Sequence, residues 1–180
     1  MLHTDGQLEM VELRSGERRE LGKLPTTLPG RHQWHNVQLV SDSQWAYLLI
    51  DTEFDSSVMQ FSAPTARFNG FLVGCDLEHG TIAWSAKIEK QQLLLLGLEH
   101  SPVLALINQS NVGTLYELDV RLLDKTTGTE LFAAKERLSN APLNTIHFDL
   151  VRRVISLGTY NLTLELRPKR VRAEPTENME

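Results

Sequence analysis

The chain has 180 residues, of which 41% are hydrophobic, and its formal net charge is -5 at pH 7. This length favours one domain with a real core, and the mild acidity argues against nucleic acid as a partner. The longest apolar run, 93–98, is far shorter than the ~20 residues of a transmembrane helix, so no membrane span is predicted.

The first third of the chain predicts two β-hairpins followed by a long loop. Four short strands are predicted at 8–13, where apolar and polar residues roughly alternate, and at 18–24, 37–40 and 45–51. Polar turn residues join each pair, so the four strands form two hairpins. Residues 52–69 show neither a strand period nor a helix period, which predicts an inserted loop of the kind that often carries function.

The rest of the chain predicts more strands and no long amphipathic helix. The further strands are 71–77, 81–88, 92–98, 102–108, 116–122, 130–136, 146–150, 154–157 and 160–166. Residues 169–180 form a charged tail that contains a proline and has no apolar face, so we expect it to be flexible. The fold class predicted from these patterns is therefore all-β.

A short motif recurs along the chain: an acidic residue, a glycine four positions later, and an aromatic residue four positions after that. Its copies are Asp76, Gly80 and Trp84, then Asp124, Gly128 and Phe132, with a degenerate copy at Glu12, Gly16 and Glu20. Glycine suits a turn that requires positive φ, and the acidic side chain can accept hydrogen bonds from the turn backbone. The aromatic residue is large enough to fill the space between neighbouring units.

A repeat of ~40 to 50 residues with four short strands in each unit indicates a β-propeller. The predicted blade parts are 8–24, 37–88, 92–136 and 145–166, within a domain that spans 1–168. They make two full blades of four antiparallel strands and two incomplete ones. Because such a set cannot close a ring of four to eight blades, we expect Met1 not to be the natural start, or the ring to be completed by the rest of a longer propeller or by a homo-oligomer.

The stretch LVGCDLEHGTIAW resembles the repeat of the PQQ-like, quinoprotein-type β-propellers, and LLDKTTGTELF and VELRSGERREL look like weaker copies. Most of 8–166 resembles the C-terminal region of large PQQ-repeat proteins from planctomycete-type bacteria. The resemblance implies an extracytoplasmic setting, either periplasmic or secreted. Enzymes of this family hold PQQ and Ca²⁺ with adjacent cysteines and with carboxylates from several blades. This chain has one cysteine and no such carboxylate cluster, so we expect no cofactor.

Two clusters have the residue types of a metal site. His32 and His35 flank a tryptophan, but no third His or Cys lies near them, which favours a solvated loop over a zinc site. Asp51, Glu53 and Asp55 alternate and could offer oxygens to Ca²⁺, but the turn glycine and the distal glutamate of a calcium loop are absent. We therefore predict no metal site.

Nucleophilic chemistry has equally weak support. Cys75 lies inside the apolar strand FLVGC, which favours a buried, inert thiol. A hydrolase triad could be assembled on paper from Ser56 or Ser57, His147 and Asp149. No nucleophile-elbow motif surrounds either serine, so we predict no catalytic residue.

The preferred contact surface consists of Arg67, Phe68 and Asn69 at the end of the long loop, together with Trp34. The alternative, which the residues favour, is that Phe68 simply closes the loop onto the blade. The sequence predicts a non-catalytic propeller segment that acts as a binding or assembly scaffold within a larger protein or complex, with a protein or glycan partner on its rim loops. The alternative is the structural half of a PQQ-type enzyme whose active site lies in other blades. A third hypothesis is a structural protein whose blades complete one another between chains.

Overall fold

The computed structural model describes residues 1, 3, 6–11, 14–26, 28–53, 64–138, 145–149, 151, 154–158 and 163–166. Within these residues the protein is all-β: twelve strands pair antiparallel, and the only helical element described is a 3-10 turn at Arg31–Gln33. The prediction of an all-β chain is confirmed. The predicted tail, 169–180, lies outside the described residues.

The twelve strands form three sheets in chain order. They are β1 (Gln7–Val11), β2 (Arg18–Lys23), β3 (Asn36–Ser41), β4 (Trp45–Asp51), β5 (Thr65–Asp76), β6 (Thr81–Leu94), β7 (Val103–Val112), β8 (Leu115–Asp124), β9 (Glu130–Leu138), β10 (Thr145–Asp149), β11 (Val154–Gly158) and β12 (Thr163–Leu166). β1 pairs with β2, β3 to β9 form one seven-stranded sheet, and β10 to β12 form a three-stranded sheet. Both N-terminal hairpins are as predicted.

Two predicted boundaries are wrong in the middle of the chain. β5 begins at Thr65, so the loop predicted over 52–69 is shorter than expected. β6 continues through the predicted break after residue 88, because 91–94 pair with 65–68 of β5. The strands therefore form one continuous sheet rather than two separate four-stranded sheets.

Both β5 and β6 kink at the level where their register shifts. Lys90 has a φ of 52°, and its backbone N–H donates to Asn69 Oδ1 at 3.0 Å. The register of the two strands shifts between Phe68 and Gly70, at the same level. Left-handed backbone is rare outside glycine and asparagine, so nothing in the sequence marked Lys90 as the kink.

The kink folds the sheet so that its two halves pack face to face. We call β3, β4, 70–76 and 81–88 the second layer, and 65–68, 91–94 and β7 to β9 the third layer. Trp84 Nε1 donates to the Lys125 carbonyl at 3.1 Å. In a flat sheet with the observed register, these residues would lie at opposite ends of the strands.

The hairpin β1–β2 is the first layer and β10 to β12 are the fourth, so the molecule is a stack of four layers. Side chains alternate between the two faces of a strand. Leu48 and Ile50 of β4 pack toward the first layer, whereas Tyr47 and Leu49 pack toward the third. On the other side of the third layer, its apolar side chains pack against Ile155 and Leu157 of the fourth layer. The layers therefore follow one another in chain order, with an apolar core between each pair.

Candidate functional site

The two complete copies of the repeated motif form the same kind of turn. Asp76 Oδ1 accepts the backbone N–H of His79 at 3.0 Å, and Asp124 Oδ1 accepts those of Thr126 at 2.8 Å and Thr127 at 2.9 Å. The backbone N–H of His79 is the main cause that holds the pKa of Asp76 below its usual value. The Thr126 hydroxyl, 2.7 Å from Oδ1, does the same for the pKa of Asp124. Both carboxylates are therefore structural.

The aromatic residue of the first complete copy links the second layer to the turn of the third. Trp84 donates from Nε1 to the Lys125 carbonyl, and its ring lies against Gly128. A Cβ at Gly128 would be 2.5 Å from Trp84 Cε3. Because the φ of Gly128 is 69°, glycine is needed there both for the backbone conformation and for the close approach of the indole. Trp84 therefore fills space between the second and third layers, as the sequence predicts for the aromatic residue of the motif.

Arg19 makes the equivalent link from the first layer to the second. Arg19 Nη1 donates to the Leu77 carbonyl at 3.1 Å, and Nη2 donates to the Glu78 carbonyl at 2.7 Å. Leu77 directly follows Asp76, just as Lys125 directly follows Asp124, so both links use the equivalent carbonyl. A Cβ at Gly80 would lie 2.6 Å from Arg19 Nε. The sequence motif placed Glu20 at the aromatic position and missed Arg19, whose planar guanidinium supplies the N–H donors instead.

A buried ion pair adds to the contact between the second and third layers. Lys125 Nζ lies 2.6 Å from Asp42 Oδ2 and donates to the Leu98 carbonyl at 2.7 Å, and both charged side chains are buried. Asp42 Oδ1 accepts the backbone N–H groups of Gln44 and Trp45 at 2.8 and 2.7 Å. The charges of this ion pair are thus compensated inside the stack. Asp42 lies in the polar turn predicted between the strands 37–40 and 45–51, but no pattern in the sequence pairs it with Lys125.

Two other buried groups that titrate in water are held neutral. Burial raises the pKa of Cys75 to about 11, as expected for an inert thiol inside a strand. Burial, and then the negative charge of Asp42, raise the pKa of Tyr47. The Tyr47 ring packs 6.3 Å from the Trp84 ring, centroid to centroid. Neither group is placed to act as a nucleophile.

The predicted contact surface at the end of the long loop is only partly exposed. Phe68 is buried in the core between the second and third layers, and Asn69 is buried at the kink. The backbone N–H of Asn69 donates to Asp51 Oδ1 at 2.6 Å, and its Oδ1 accepts from Lys90. Arg67 remains exposed. Of these three predicted contact residues, only Arg67 presents its side chain to solvent.

Trp34 lies half-buried beside an open cleft. Its Nε1 donates to the Pro29 carbonyl at 2.9 Å, and the Arg31 guanidinium lies 5.9 Å from the centroid of its ring. The cleft has a volume of about 370 Å³ and is lined by Pro29, Gln33, Thr52, Glu53, Phe71 and Lys87. One carboxylate, one ammonium group and the Phe71 ring line this open cleft. Arg67 does not line this cleft.

The residues considered for metal binding are exposed, engaged in other contacts or outside the described part of the chain. His32 and His35 are exposed, Asp51 is engaged with Asn69, and Asp55 lies outside the described residues. Among the residues that the structure describes, no group of three or more His, Cys, Asp or Glu could hold a metal ion.

The residues considered for a hydrolase triad divide in the same way. His147 is exposed on β10, and Asp149, on the same strand, accepts the backbone N–H of Val151 at 3.0 Å. Ser56 and Ser57 lie outside the described residues.

One edge of the second layer leaves apolar side chains uncovered. Val37 and Leu39 of β3 are 40% and 66% exposed. Their cross-strand partners, Ile50 and Leu48, belong to the core that faces the first layer. The first layer therefore covers β4 and β5 on this face but leaves β3 open.

The opposite edge of the stack has a matching feature on β9. Phe132 is 41% exposed, and Leu131 beside it is also exposed. The cross-strand partner of Phe132 is Leu122, which packs at the margin of the core that faces the fourth layer. The fourth layer packs on β7 and β8 and does not cover Phe132 completely.

Comparison with known proteins adds no relative to these observations: no protein-family model, curated protein or solved structure matches the chain. Within the described part of the chain, no helix has the length and apolar character needed to cross a membrane.

Proposed function

We propose that this chain is a β-propeller segment that acts as a non-catalytic binding or assembly scaffold. The observation that carries the proposal is the repeated interlayer link: Arg19 and Trp84 each reach the glycine turn of the following layer and donate to the equivalent carbonyl. Blades of a propeller pack face to face in chain order, and a link that recurs at two successive steps is typical of an architecture built from repeats.

The roles of the charged and polar groups support a scaffold rather than an enzyme. The carboxylates of Asp76 and Asp124 accept hydrogen bonds from the backbone of their turns. Asp42 and Lys125 form an ion pair between the second and third layers. A catalytic constellation instead needs a nucleophile, a base and an open position for the reacting atom. An extracytoplasmic setting is part of the proposal and is supported by the resemblance to PQQ-type repeats.

The surface around Trp34 is the proposed contact for a protein or glycan partner. Tryptophan and arginine are the side chains that most often dominate binding interfaces, and Trp34 and Arg31 lie together beside the cleft. The exposed Arg67, which does not line the cleft, is a second and separate proposed contact.

Screening of the purified chain on glycan and peptide arrays tests this function. We expect binding that is lost in Trp34→Ala, is weakened in Arg67→Ala, and is retained in the control Val112→Ala on the β7–β8 hairpin. Circular dichroism of each variant must show an intact fold, because Trp34 also packs against the core between the first and second layers. Array binding that is unchanged in Trp34→Ala and Arg67→Ala would contradict the assigned surface.

A second measurement addresses the enzymatic alternative. A ligand present at ~100 times its dissociation constant stabilises a protein by about 2.7 kcal/mol. We expect PQQ with Ca²⁺ to leave the melting temperature unchanged, and a clear rise would favour the enzyme. A crystal structure tests the propeller itself, because successive blades must be related by rotation about one common axis.

A further inference from the structure

We infer that Asn69 and Gly70, at the kink, form a latent deamidation site. In the folded chain the kink suppresses the reaction, and opening of the kink lets Asn69 convert to isoaspartate or aspartate. The isoaspartate product prevents the kink from forming again, so a transient opening becomes a permanent change. The inference goes beyond the proposed function, because it concerns two residues inside one sheet and requires no partner.

The chemistry follows from the order of these two residues. Asparagine followed by glycine deamidates readily, because glycine has no side chain to hinder attack by its backbone nitrogen. Of the asparagines in this chain, only Asn69 precedes a glycine. The Gly70 nitrogen attacks Cγ of Asn69, the Cγ–Nδ2 bond breaks, and ammonia leaves with the proton of the Gly70 N–H. Water then opens the succinimide ring at either carbonyl, which gives aspartate or isoaspartate.

The fold needs both residues of this reactive pair. A Cβ at Gly70 would clash with the Ile50 carbonyl oxygen and with Thr52, so glycine is the residue that fits there. Asn69 Oδ1 accepts the backbone N–H of Lys90 at 3.0 Å, at the point where β6 kinks. A buried backbone N–H requires such an acceptor. The chain therefore carries the reactive pair inside its largest sheet.

The folded kink opposes the reaction. Asn69 is 6% exposed. Its backbone N–H donates to Asp51 Oδ1 at 2.6 Å, its carbonyl accepts the Thr52 N–H at 2.9 Å, and its Oδ1 accepts from Lys90. Attack by the Gly70 nitrogen requires the Asn69 side chain to leave Lys90 and a base from solvent to reach the Gly70 N–H. Both steps require the kink to open first.

Two features make the kink easy to open. Lys90 has a φ of 52°, and left-handed backbone is unfavourable for a residue other than glycine. Such strain persists only where surrounding contacts hold it. In addition, Nδ2 of Asn69 is buried and has no hydrogen-bond partner among the described residues, so no bond retains the amide group that leaves as ammonia. We therefore expect local opening at the kink without unfolding of the whole sheet.

The isoaspartate product does not fit the closed kink. Its main chain runs through the former side-chain carbon, which inserts a methylene group before the nitrogen of residue 70. The bonds to Asp51, Thr52 and Lys90 fix the spacing of the atoms of residue 69, so a longer main chain cannot keep all three. The aspartate product keeps the main chain and adds a second carboxylate beside Asp51, which is a smaller change.

Mass spectrometry of the aged chain provides the first test. Trypsin cuts after Arg67 and Lys87, and Asn69 carries the only amide side chain of the peptide 68–87. We expect this peptide to deamidate at least about tenfold more slowly in alkaline buffer alone than in the same buffer with urea. Circular dichroism confirms that the chain without urea is folded. Equal rates in the two samples would overturn the inference.

Two substitutions of Lys90 test whether the kink gives the protection. Lys90→Gly tolerates positive φ, whereas Lys90→Val places a β-branched residue there, and both keep the backbone N–H. We expect deamidation at least about tenfold faster in Lys90→Val than in Lys90→Gly, because left-handed backbone is costly for residues with a Cβ. Lys90→Ala serves the comparison if Lys90→Val does not fold. Equal rates in two folded variants would overturn the inference.

Hydrogen exchange after refolding tests whether the change is permanent. The isoaspartate form is separated from chain aged in urea and is then refolded. We expect its Lys90 amide to exchange at least about tenfold faster than in unaged chain. Asn69→Asp has the charge with the ordinary main chain, and its exchange rate should lie between the two. An isoaspartate form that refolds with the unaged exchange rate would overturn the claim that the kink cannot re-form.

Discussion

Trp84 and Phe132 occupy the same position in two copies of one motif, but their surroundings differ. Both follow an aspartate that accepts backbone N–H groups and a glycine with positive φ, so the local turns are alike. Trp84 is enclosed because the turn of the third layer lies above it, while Phe132 stays exposed because the fourth layer packs on β7 and β8. The motif fixes the turn, and the next layer decides whether the aromatic residue belongs to a core.

The largest expected effect separates the two aromatic residues directly. Trp84→Ala should lower the free energy of unfolding by ~3–5 kcal/mol, since it leaves a cavity beside Tyr47 and Gly128. Phe132→Ala should lower it by less, about 1–2 kcal/mol, because Phe132 is 41% exposed and therefore has less buried surface to lose than Trp84, which is 8% exposed. Urea denaturation at low protein concentration measures both values, and equal losses would contradict the comparison.

The ion pair marks a second difference between the two turns, because Leu77 stands where the other turn has Lys125. Lys125→Met leaves the Asp42 carboxylate buried without its cation, and we expect a loss of roughly 3 kcal/mol. The double variant Asp42→Asn with Lys125→Met should lose less than the sum of the single variants, as a double-mutant cycle would show. Additive losses would mean that the two side chains do not interact.

Two turn glycines differ in what lies next to them. A Cβ at Gly128 would meet the Trp84 ring, whereas a Cβ at Gly16 would meet nothing within 4 Å. Gly16→Ala places an L-residue at positive φ and should lower the free energy of unfolding by ~1–2 kcal/mol. Gly128→Ala has the same backbone strain and also forces its methyl group against Trp84, which adds ~1–3 kcal/mol. Thermal or urea unfolding of the two variants gives the difference. A smaller loss at Gly128 would argue against the close indole contact.

The smallest expected effect concerns pH at the exposed turns. His79 Nδ1 lies 2.8 Å from Asp76 Oδ2, and this contact raises the pKa of His79 above 6.5. The pKa of Asp76 lies below 3.8. The stabilising contribution of His79 is present below pH ~6.5 and disappears as the pH rises through its raised pKa, while that of Asp76 disappears on acidification. The pair is thus strongest between pH ~4 and ~6.5.

Titration of the histidine ring by NMR measures this effect. Asp76→Asn should return the pKa of His79 toward its ordinary value. The turn at Asp124, which uses Thr126 and Thr127 in place of a histidine, should show no titration above pH 5. An unchanged pKa of His79 in Asp76→Asn would show that the contact with Asp76 does not raise this pKa.

Much of the candidate site was beyond sequence reasoning. Arg19 replaces the aromatic residue of the motif by means of a contact to a carbonyl far along the chain. Phe68 and Asn69 lie at the end of a segment without periodicity, and only the tertiary structure shows that they are interior. The partnership of Asp42 with Lys125 likewise joins two turns that are distant in sequence.

The sequence alone determined the all-β class, most strand positions, and the turns built on Asp76, Gly80, Asp124 and Gly128, because side-chain alternation and positive φ depend on nearest neighbours along the chain. The tertiary structure decided the kink at Lys90, the identity of the linking side chains, and which apolar residues stay exposed. Those outcomes depend on which layer lies above which, and contacts between residues far apart in sequence leave no local pattern.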